Sequence, residues 1–284
     1  MTAIIGYIVV LGSILGGYLI AGGNLHMLIQ PSEFIIIGGA ATGALIVGSP
    51  PALIKLIIGG VKSFFGGKTP SKKEYEDLLL LLYELFIKAR KNGLLSLESD
   101  IENPKESPIF NNYTSVTKNH HLLHFISDNM KVILTGVMQP HELENLMDVD
   151  IETTHKEEHL PGHAIQTMAD GLPAFGIVAA VMGVVITMGL ISEPPEVLGH
   201  HIGAALVGTF LGVLLAYGIV GPIANALNNQ VTLNSFVFRI VKEALVFFVN
   251  TPDPKAAVEL ARRAVPPSAR PSFEEMEEKF KNIK

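Results

Sequence analysis

The sequence predicts an all-α fold: a polytopic membrane protein with four transmembrane helices and a helical cytoplasmic domain. Three observations carry this. Long uncharged apolar runs recur along the chain, no lysine or arginine occurs before Lys55 or between Lys156 and Arg239, and no alternating strand pattern of any length is present. All the apolar runs lie inside the two basic-free stretches. Positive charge collects on the cytoplasmic side of a bilayer, so the segments that hold the lysines and arginines are expected in the cytoplasm.

The composition agrees. Mean hydropathy is +0.38, with 27 glycines and no tryptophan, as expected for small-residue-rich membrane helices joined to polar parts. The absence of cysteine removes disulfides, thiolate metal sites and cysteine nucleophiles. A net charge of −6 argues against a nucleic-acid partner, which would call for a basic stripe.

The first run, Ala3 to Gly22, holds about 20 uncharged residues, enough to cross a hydrocarbon core about 30 Å thick. No basic region precedes it and no small-residue cleavage site follows, so it is expected to be retained as a span. The second run, Phe34 to Ile54, is interrupted by Pro50-Pro51. Its membrane part is expected from Phe34 to about Ser49, with a bent amphipathic extension through Lys55 and Lys62. Runs three and four cover Leu172 to Ile191 and Ile202 to Val220. The links Asn24-Leu25-His26 and Ser192-Glu193-Pro194-Pro195-Glu196 carry no Lys or Arg and face outward, leaving both termini in the cytoplasm. The expected domain ranges are 1–59 for spans one and two, 60–170 for a cytoplasmic helical domain, 171–224 for spans three and four, and 225–284 for a cytoplasmic C-terminal helical tail.

In the first cytoplasmic piece, Tyr75 to Arg90 contains the run Leu78 to Leu82 between charged residues. It is too short to span a bilayer and reads as a helix buried against other helices. Ser272-Phe273-Glu274-Glu275 is a capping box that starts a terminal helix through Phe280.

Membrane helices associate through close packing at small residues spaced four apart. Span four carries Ala204, Gly208, Gly212 and Ala216 on one stripe, and span three carries Gly176, Ala180 and, one position off, Gly183. The two spans can pack tightly, and the longer stripe on span four is expected to serve a subunit interface. Gly12 with Gly16 and Gly39 with Gly43 form shorter faces. No ionisable residue is expected in the core of any run, so an ion-driven machine built on this chain would take its carboxylate from a partner. Pro173 is expected at the first turn of span three, where its missing amide costs nothing. Pro222, at the end of span four, is expected to bend or stop the helix.

Taken together, Leu172-Pro173-Ala174-Phe175-Gly176-Ile177-Val178-Ala179-Ala180-Val181-Met182-Gly183, Leu206-Val207-Gly208-Thr209-Phe210-Leu211-Gly212 and Ala216-Tyr217-Gly218 resemble spans three and four of the MotA family of flagellar stator proteins. Ser96-Leu97-Glu98, Asp100-Ile101-Glu102-Asn103-Pro104, Ala257-Val258-Glu259 and Arg270-Pro271-Ser272-Phe273 extend the resemblance along nearly the whole chain, in order. Spans three and four alone would also suggest the wider MotA, TolQ and ExbB superfamily. The resemblance implies a ring of identical copies, a pentamer, around a dimer of MotB. MotB supplies the proton-accepting aspartate and the peptidoglycan anchor, and ion flow makes the ring push the rotor protein FliG, as in flagellar motility and chemotaxis. It implies no cofactor and no enzymatic activity, and a place in the bacterial inner membrane. Residue by residue, it places Arg90 and Glu98 at the rotor interface, Pro173 and Pro222 as coupling prolines, and Thr209 near the ion path. Ala180 stands where sodium-driven relatives carry a second threonine. A hydroxyl helps replace sodium's lost water, so Ala180 favours H+ over Na+.

Two other readings compete. His155-Lys156-Glu157-Glu158-His159 fits the H-x-x-E-H pattern of zinc peptidases, with His163 at the same interval. Pro161-Gly162 is expected to break the helix before His163, which favours a solvated charged turn over a metal site. His120 and His124 are expected at the surface or in packing. An ExbB or TolQ type of energiser shares the bundle but has three spans of different topology. Without the resemblance, Arg90 and Glu98 read as a solvated loop after the Leu78 to Arg90 helix.

Overall fold

The computed structural model of the protein describes residues 2–66 and 69–283, without the side chains of Ser63 and Phe65. Met1, Gly67, Lys68 and Lys284, which the expected domain ranges include, lie outside the described residues. In chain order the helices are α1 (Thr2–Ile20), α2 (Leu25–Leu28), α3 (Pro31–Gly48), α4 (Pro51–Gly66), α5 (Lys72–Asn92), α6 (Glu98–Glu102), α7 (Pro108–Asn111), α8 (Thr114–Thr117), α9 (His120–Thr135), α10 (Pro140–Met188), α11 (Pro195–Val213), α12 (Gly221–Asn250), α13 (Pro254–Ala264) and α14 (Phe273–Lys281). A 3-10 turn, Leu94–Leu97, lies between α5 and α6, and a π-helical stretch, Leu214–Val220, carries α11 into α12. The described residues contain no strand, so the fold is all-α. Among the described residues four helical stretches are long and apolar enough to cross a membrane: Thr2–Ile20, Leu25–Gly48 (α2 with α3), Pro140–Met188, and Pro195–Asn250 (α11 through α12).

Close packing divides the chain into two units, residues 1–67 with 158–229 and residues 68–157 with 230–284. α10 and α12 contribute to both. These divisions follow packing, whereas the expected ranges 1–59, 60–170, 171–224 and 225–284 follow the membrane boundary, a different quantity.

In the first unit, the break between α3 and α4 falls at the two prolines. Pro50 holds Ser49 in an extended conformation (φ −123, ψ 127), and Pro51 opens α4 where no amide donor is needed. α4 is the expected extension, with Ile57 buried and Lys55 and Lys62 exposed. α10 and α11 pack backbone to backbone. A Cβ added to Gly176 would lie 2.7 Å from the carbonyl oxygen of Gly208, and one added to Gly212 would lie 2.7 Å from that of Leu172. At Gly183 an added Cβ would meet the Ala205 side chain at 2.7 Å. The tight packing of spans three and four is therefore present, but the expectation that the Gly208 and Gly212 stripe serves a subunit interface is overturned. That stripe is consumed inside the chain. Gly12, Gly16, Gly39 and Gly43 have nothing within 4 Å of an added Cβ, so the shorter faces are the open ones.

Two proline expectations need correction, and of the two outcomes expected at Pro222 the stop does not occur. α10 runs unbroken through both Pro161 and Pro173, so Pro161-Gly162 does not end a helix and Pro173 is not in a first turn. A proline inside a helix removes one hydrogen bond and crowds one carbonyl, a cost of about 3 kcal/mol that the long flanks and the burial of Pro161 and Gly162 outweigh. Gly162 also admits the side chain of Asn228 where any Cβ would collide with it. Nor does Pro222 stop its helix. The backbone widens ahead of it, and the Gly221 amide reaches back to the Ala216 carbonyl, five residues away. This wider turn takes up the space a proline ring needs against the preceding turn. The Tyr7 hydroxyl, from α1, donates to the Ile219 carbonyl at 3.1 Å in the same stretch.

The second unit has an apolar core. Leu78, Leu79, Leu81, Leu82, Leu85 and Phe86 of α5 are fully buried, so the leucine run is the expected packed helix. Phe86 stacks on Phe248 of α12 with ring centroids 4.2 Å apart, and Tyr83 stacks on Phe280 of α14 at 4.0 Å. Phe125 of α9 meets Phe238 of α12 edge to face at 5.3 Å. Lys242, buried among these helices, donates to Asp148 of α10 at 2.9 Å. The Ser272 capping box is present, with Glu275 N–H donating to Ser272 Oγ (3.1 Å) and Ser272 N–H to Glu275 Oε2 (2.7 Å). A second box, Ser71 with Glu74, starts α5.

Candidate functional site

Three of the membrane candidates lie on α10 and α11, which touch, and the fourth, Pro222, lies in the first turn of α12. Ala180 sits in the interior of α10, and its backbone nitrogen would be 3.0 Å from a Cβ on Gly208. Thr209 follows Gly208 on α11 but points the other way: Gly208 is buried and Thr209 is exposed. Pro173 is half-buried seven residues before Ala180, and Pro222 is exposed just after the π-helical stretch. The outward face of the chain therefore carries a hydroxyl at Thr209, one residue from Gly208, which packs against α10.

One residue in this region was not anticipated. Glu33, in the first turn of α3, is 94% buried, its relative exposure being 6%. Its Oε2 has no hydrogen-bond partner and would lie 2.6 Å from a Cβ on Gly208. The cores of the four runs hold no ionisable residue, as expected, but Glu33, one residue before the second run, is packed among the spans. The second apolar run starts at Phe34, one position past this carboxylate. In the structure Pro31 is the first residue of α3, as proline's fixed φ allows.

Arg90 and Glu98 lie in the second unit. Arg90 belongs to the last turn of α5 and Glu98 opens α6, both exposed. They are helical, where the residues alone suggested a loop. Arg90 Nη1 approaches Asp253 Oδ2 at 3.7 Å, with both side chains about half exposed (59% and 46%). Such a pair contributes about 0–1 kcal/mol. The segment between them is fixed from beneath. Asp100, 4% exposed, accepts from Lys88 of α5 through Oδ2 and from Ser107 through Oδ1, the latter at 2.6 Å.

His155, Glu158 and His159 lie on one turn of α10, where a solvated turn was expected. His159 Nδ1 is 3.0 Å from Asn228 Oδ1 of α12, beside the close approach at Gly162. Among the described residues no group of three His, Asp or Glu is placed to hold a metal. Of the H-x-x-E-H residues, His159 links α10 to α12.

Comparison with known proteins decides the family. The model for the motility protein A N-terminal region matches residues 4–93, and that for the MotA/TolQ/ExbB proton channel family matches residues 118–238. The chain is 44% identical to motility protein A of Escherichia coli over 284 residues, covering 100% of this chain and 96% of that one. The chain belongs to the motility protein A family. It is also 39% identical to the chemotaxis protein LafT of Vibrio parahaemolyticus over 277 residues, 98% of this chain and 97% of that one. The fold superimposes on a chain of the flagellar MotAB stator complex from Bacillus subtilis with a TM-score of 0.77 at 22% identity, covering 97% and 100%. A chain of Campylobacter jejuni MotAB gives a TM-score of 0.78 at 20% identity, covering 96% and 98%.

As a motility protein A, the chain uses several of its signature residues for architecture. Glu259 accepts from Arg262 Nε at 2.7 Å and from Arg263 Nε at 3.0 Å. These bonds, Arg262's first, hold its carboxyl below the usual carboxylate range. Arg262 donates onward to the Pro271 carbonyl (2.9 Å), and Arg270 to the carbonyls of Val265 and Arg263 (3.0 and 2.8 Å). The Ala257-Val258-Glu259 and Arg270-Pro271-Ser272-Phe273 signatures thus close α13 onto α14. Asp100 does the same for the Asp100-to-Pro104 signature. None of these pairings was identified from the sequence.

Proposed function

We propose that the chain is the stator subunit of a bacterial flagellar motor, which with MotB couples proton flow across the inner membrane to torque on the rotor protein FliG. The full-length match to motility protein A carries this reading, and the match of residues 4–93 to that family's own N-terminal model favours it over an ExbB or TolQ energiser. Thr209 lies on the outward face of α11, where no ionisable side chain of α11 accompanies it between His201 and the end of the helix. A path along that face takes its carboxylate from another chain, and a MotB dimer inside a ring of identical copies, a pentamer, supplies it. The open glycine faces of α1 and α3 suit contact between copies.

Ala180 offers no hydroxyl to replace a cation's water, so the ion is H+ and not Na+. Both termini and the second unit lie in the cytoplasm, where Arg90 and Glu98 meet FliG. Pro173 and Pro222 act as the coupling points of α10 and of the helix running from α11 into α12. The test is complementation: expressed with its cognate MotB in a stator-null host, the chain should restore swimming. That swimming should collapse with a protonophore and survive replacement of sodium by potassium. Swimming that requires sodium would contradict the proton assignment, and no swimming would contradict the stator role.

A further inference from the structure

Among the described residues, Glu33 stands apart from every other carboxylate: it is buried and its Oε2 is without a hydrogen-bond partner. An ionised carboxylate in an apolar site costs several kcal/mol unless something compensates it. The elements around it offer no counter-charge. Glu33 is the only ionisable residue of α3, α10 has none from Gly171 to Met188, and α11 has none after His201. The remaining candidates are His26 on α2, Glu196, His200 and His201 at the start of α11, and Tyr7 and Tyr18 on α1. None of them is hydrogen-bonded to Glu33 in the structure. One feature works the other way: the side chain sits in the first turn of α3, where the free amides of a helix N-terminus favour a negative charge. Apolar burial opposes the charge and the helix terminus supports it, so both protonation states are within reach.

The location matters as much as the balance. Glu33 Oε2 lies against Gly208, the residue before Thr209, and Gly208 in turn packs on the Ala180 backbone. Glu33 is only two residues from Pro31, where the loop that precedes α3 ends, which gives a short route to water.

We propose that Glu33 is a proton-binding site on this chain itself, a carboxyl that takes up and releases a proton next to Gly208, on the side of α11 turned away from Thr209 and supplementary to the partner's carboxylate. A proton adds to the carboxylate oxygen and leaves from it, with no other bond made or broken. The inference rests on the stator reading for its role, though not for the chemistry of the group.

Two measurements test it. In the full chain, purified in lipid nanodiscs, infrared spectroscopy at neutral pH should show a protonated-carboxyl C=O band that disappears in Glu33→Gln and shifts in Glu33→Asp. In motile cells, Glu33→Gln should lower swimming torque several-fold at unchanged membrane level and flatten its dependence on external pH. Glu33→Asp, which keeps a titratable group, should retain most of the torque and the pH dependence. A spectrum unchanged by Glu33→Gln would overturn the inference, as would Glu33→Gln cells with parental torque and pH profile. If the unsubstituted chain fails to restore swimming, the stator reading falls and the infrared measurement still decides whether Glu33 binds a proton.

Discussion

Gly212→Leu is expected to abolish motility and to lower the membrane level of the protein several-fold. Even one added carbon at this position would stand 2.7 Å from the Leu172 carbonyl oxygen and 2.9 Å from Gly176 Cα. Both obstacles are backbone, so no side-chain rotation relieves them. α10 and α11 would have to separate, losing the contact that also seats Gly208 beside Glu33. Overpacking a close-packed site costs about 1–3 kcal/mol or more, and membrane helices have no hydrophobic effect to offset it. Gly59→Leu on α4 is the matched control, because a Cβ there meets nothing within 4 Å. Its membrane level should stay normal. Immunoblots of membrane fractions decide the matter, and equal levels for the two variants would show that the crossing tolerates separation.

Reversing charge at the proposed rotor contact should be nearly as damaging, by a different route. One charge crossing 100 mV releases about 2.3 kcal/mol. A single exposed ion pair is worth about 0–1 kcal/mol and is screened beyond about 8 Å at physiological salt. One such contact cannot transmit torque by attraction, so Arg90 and Glu98 are expected to steer and register a larger interface. Arg90→Ala or Glu98→Gln should therefore reduce swimming mildly. Arg90→Glu, which also sets a carboxylate facing Asp253, and Glu98→Lys should each reduce it severely while membrane levels stay normal. A compensating reversal on FliG should restore part of the loss. Full motility in the double reversal against unaltered FliG would show that these residues do not read the rotor's charge.

Much of this architecture was legible because it rests on local rules. The Leu78 to Leu82 run, the Pro50-Pro51 break and the Ser272 capping box each follow from a few adjacent residues, and each stands where expected. Ser71 with Glu74 obeys the same capping rule and was readable in the same way. The misses share a different cause. Small residues at four-residue spacing announce a close approach without naming the partner, so Gly208 and Gly212 suited another subunit as well as α10. Proline rules describe isolated helices, whereas Pro161 and Pro173 sit in a helix long enough to absorb the lost bonds, and Pro222 follows a widened turn that no residue type signals. Glu33 was hidden by its position: one residue outside the apolar run by composition, yet inside the packed bundle by geometry. At the candidate site, the close approach of Ala180 to Gly208 follows from the small-residue pattern. The inward turn of Glu33 toward it depends on how three helices meet.

The central claim is that this chain forms half of an ion path and needs a partner's carboxylate to complete it. Proton flux into liposomes under an imposed membrane potential measures this directly, with the chain reconstituted alone or together with a MotB whose plug segment has been removed. The account predicts background flux for the chain alone, Glu33 notwithstanding, and a large protonophore-like flux for the pair, lost when the MotB aspartate is replaced by asparagine. Robust proton flux through the chain alone would contradict it.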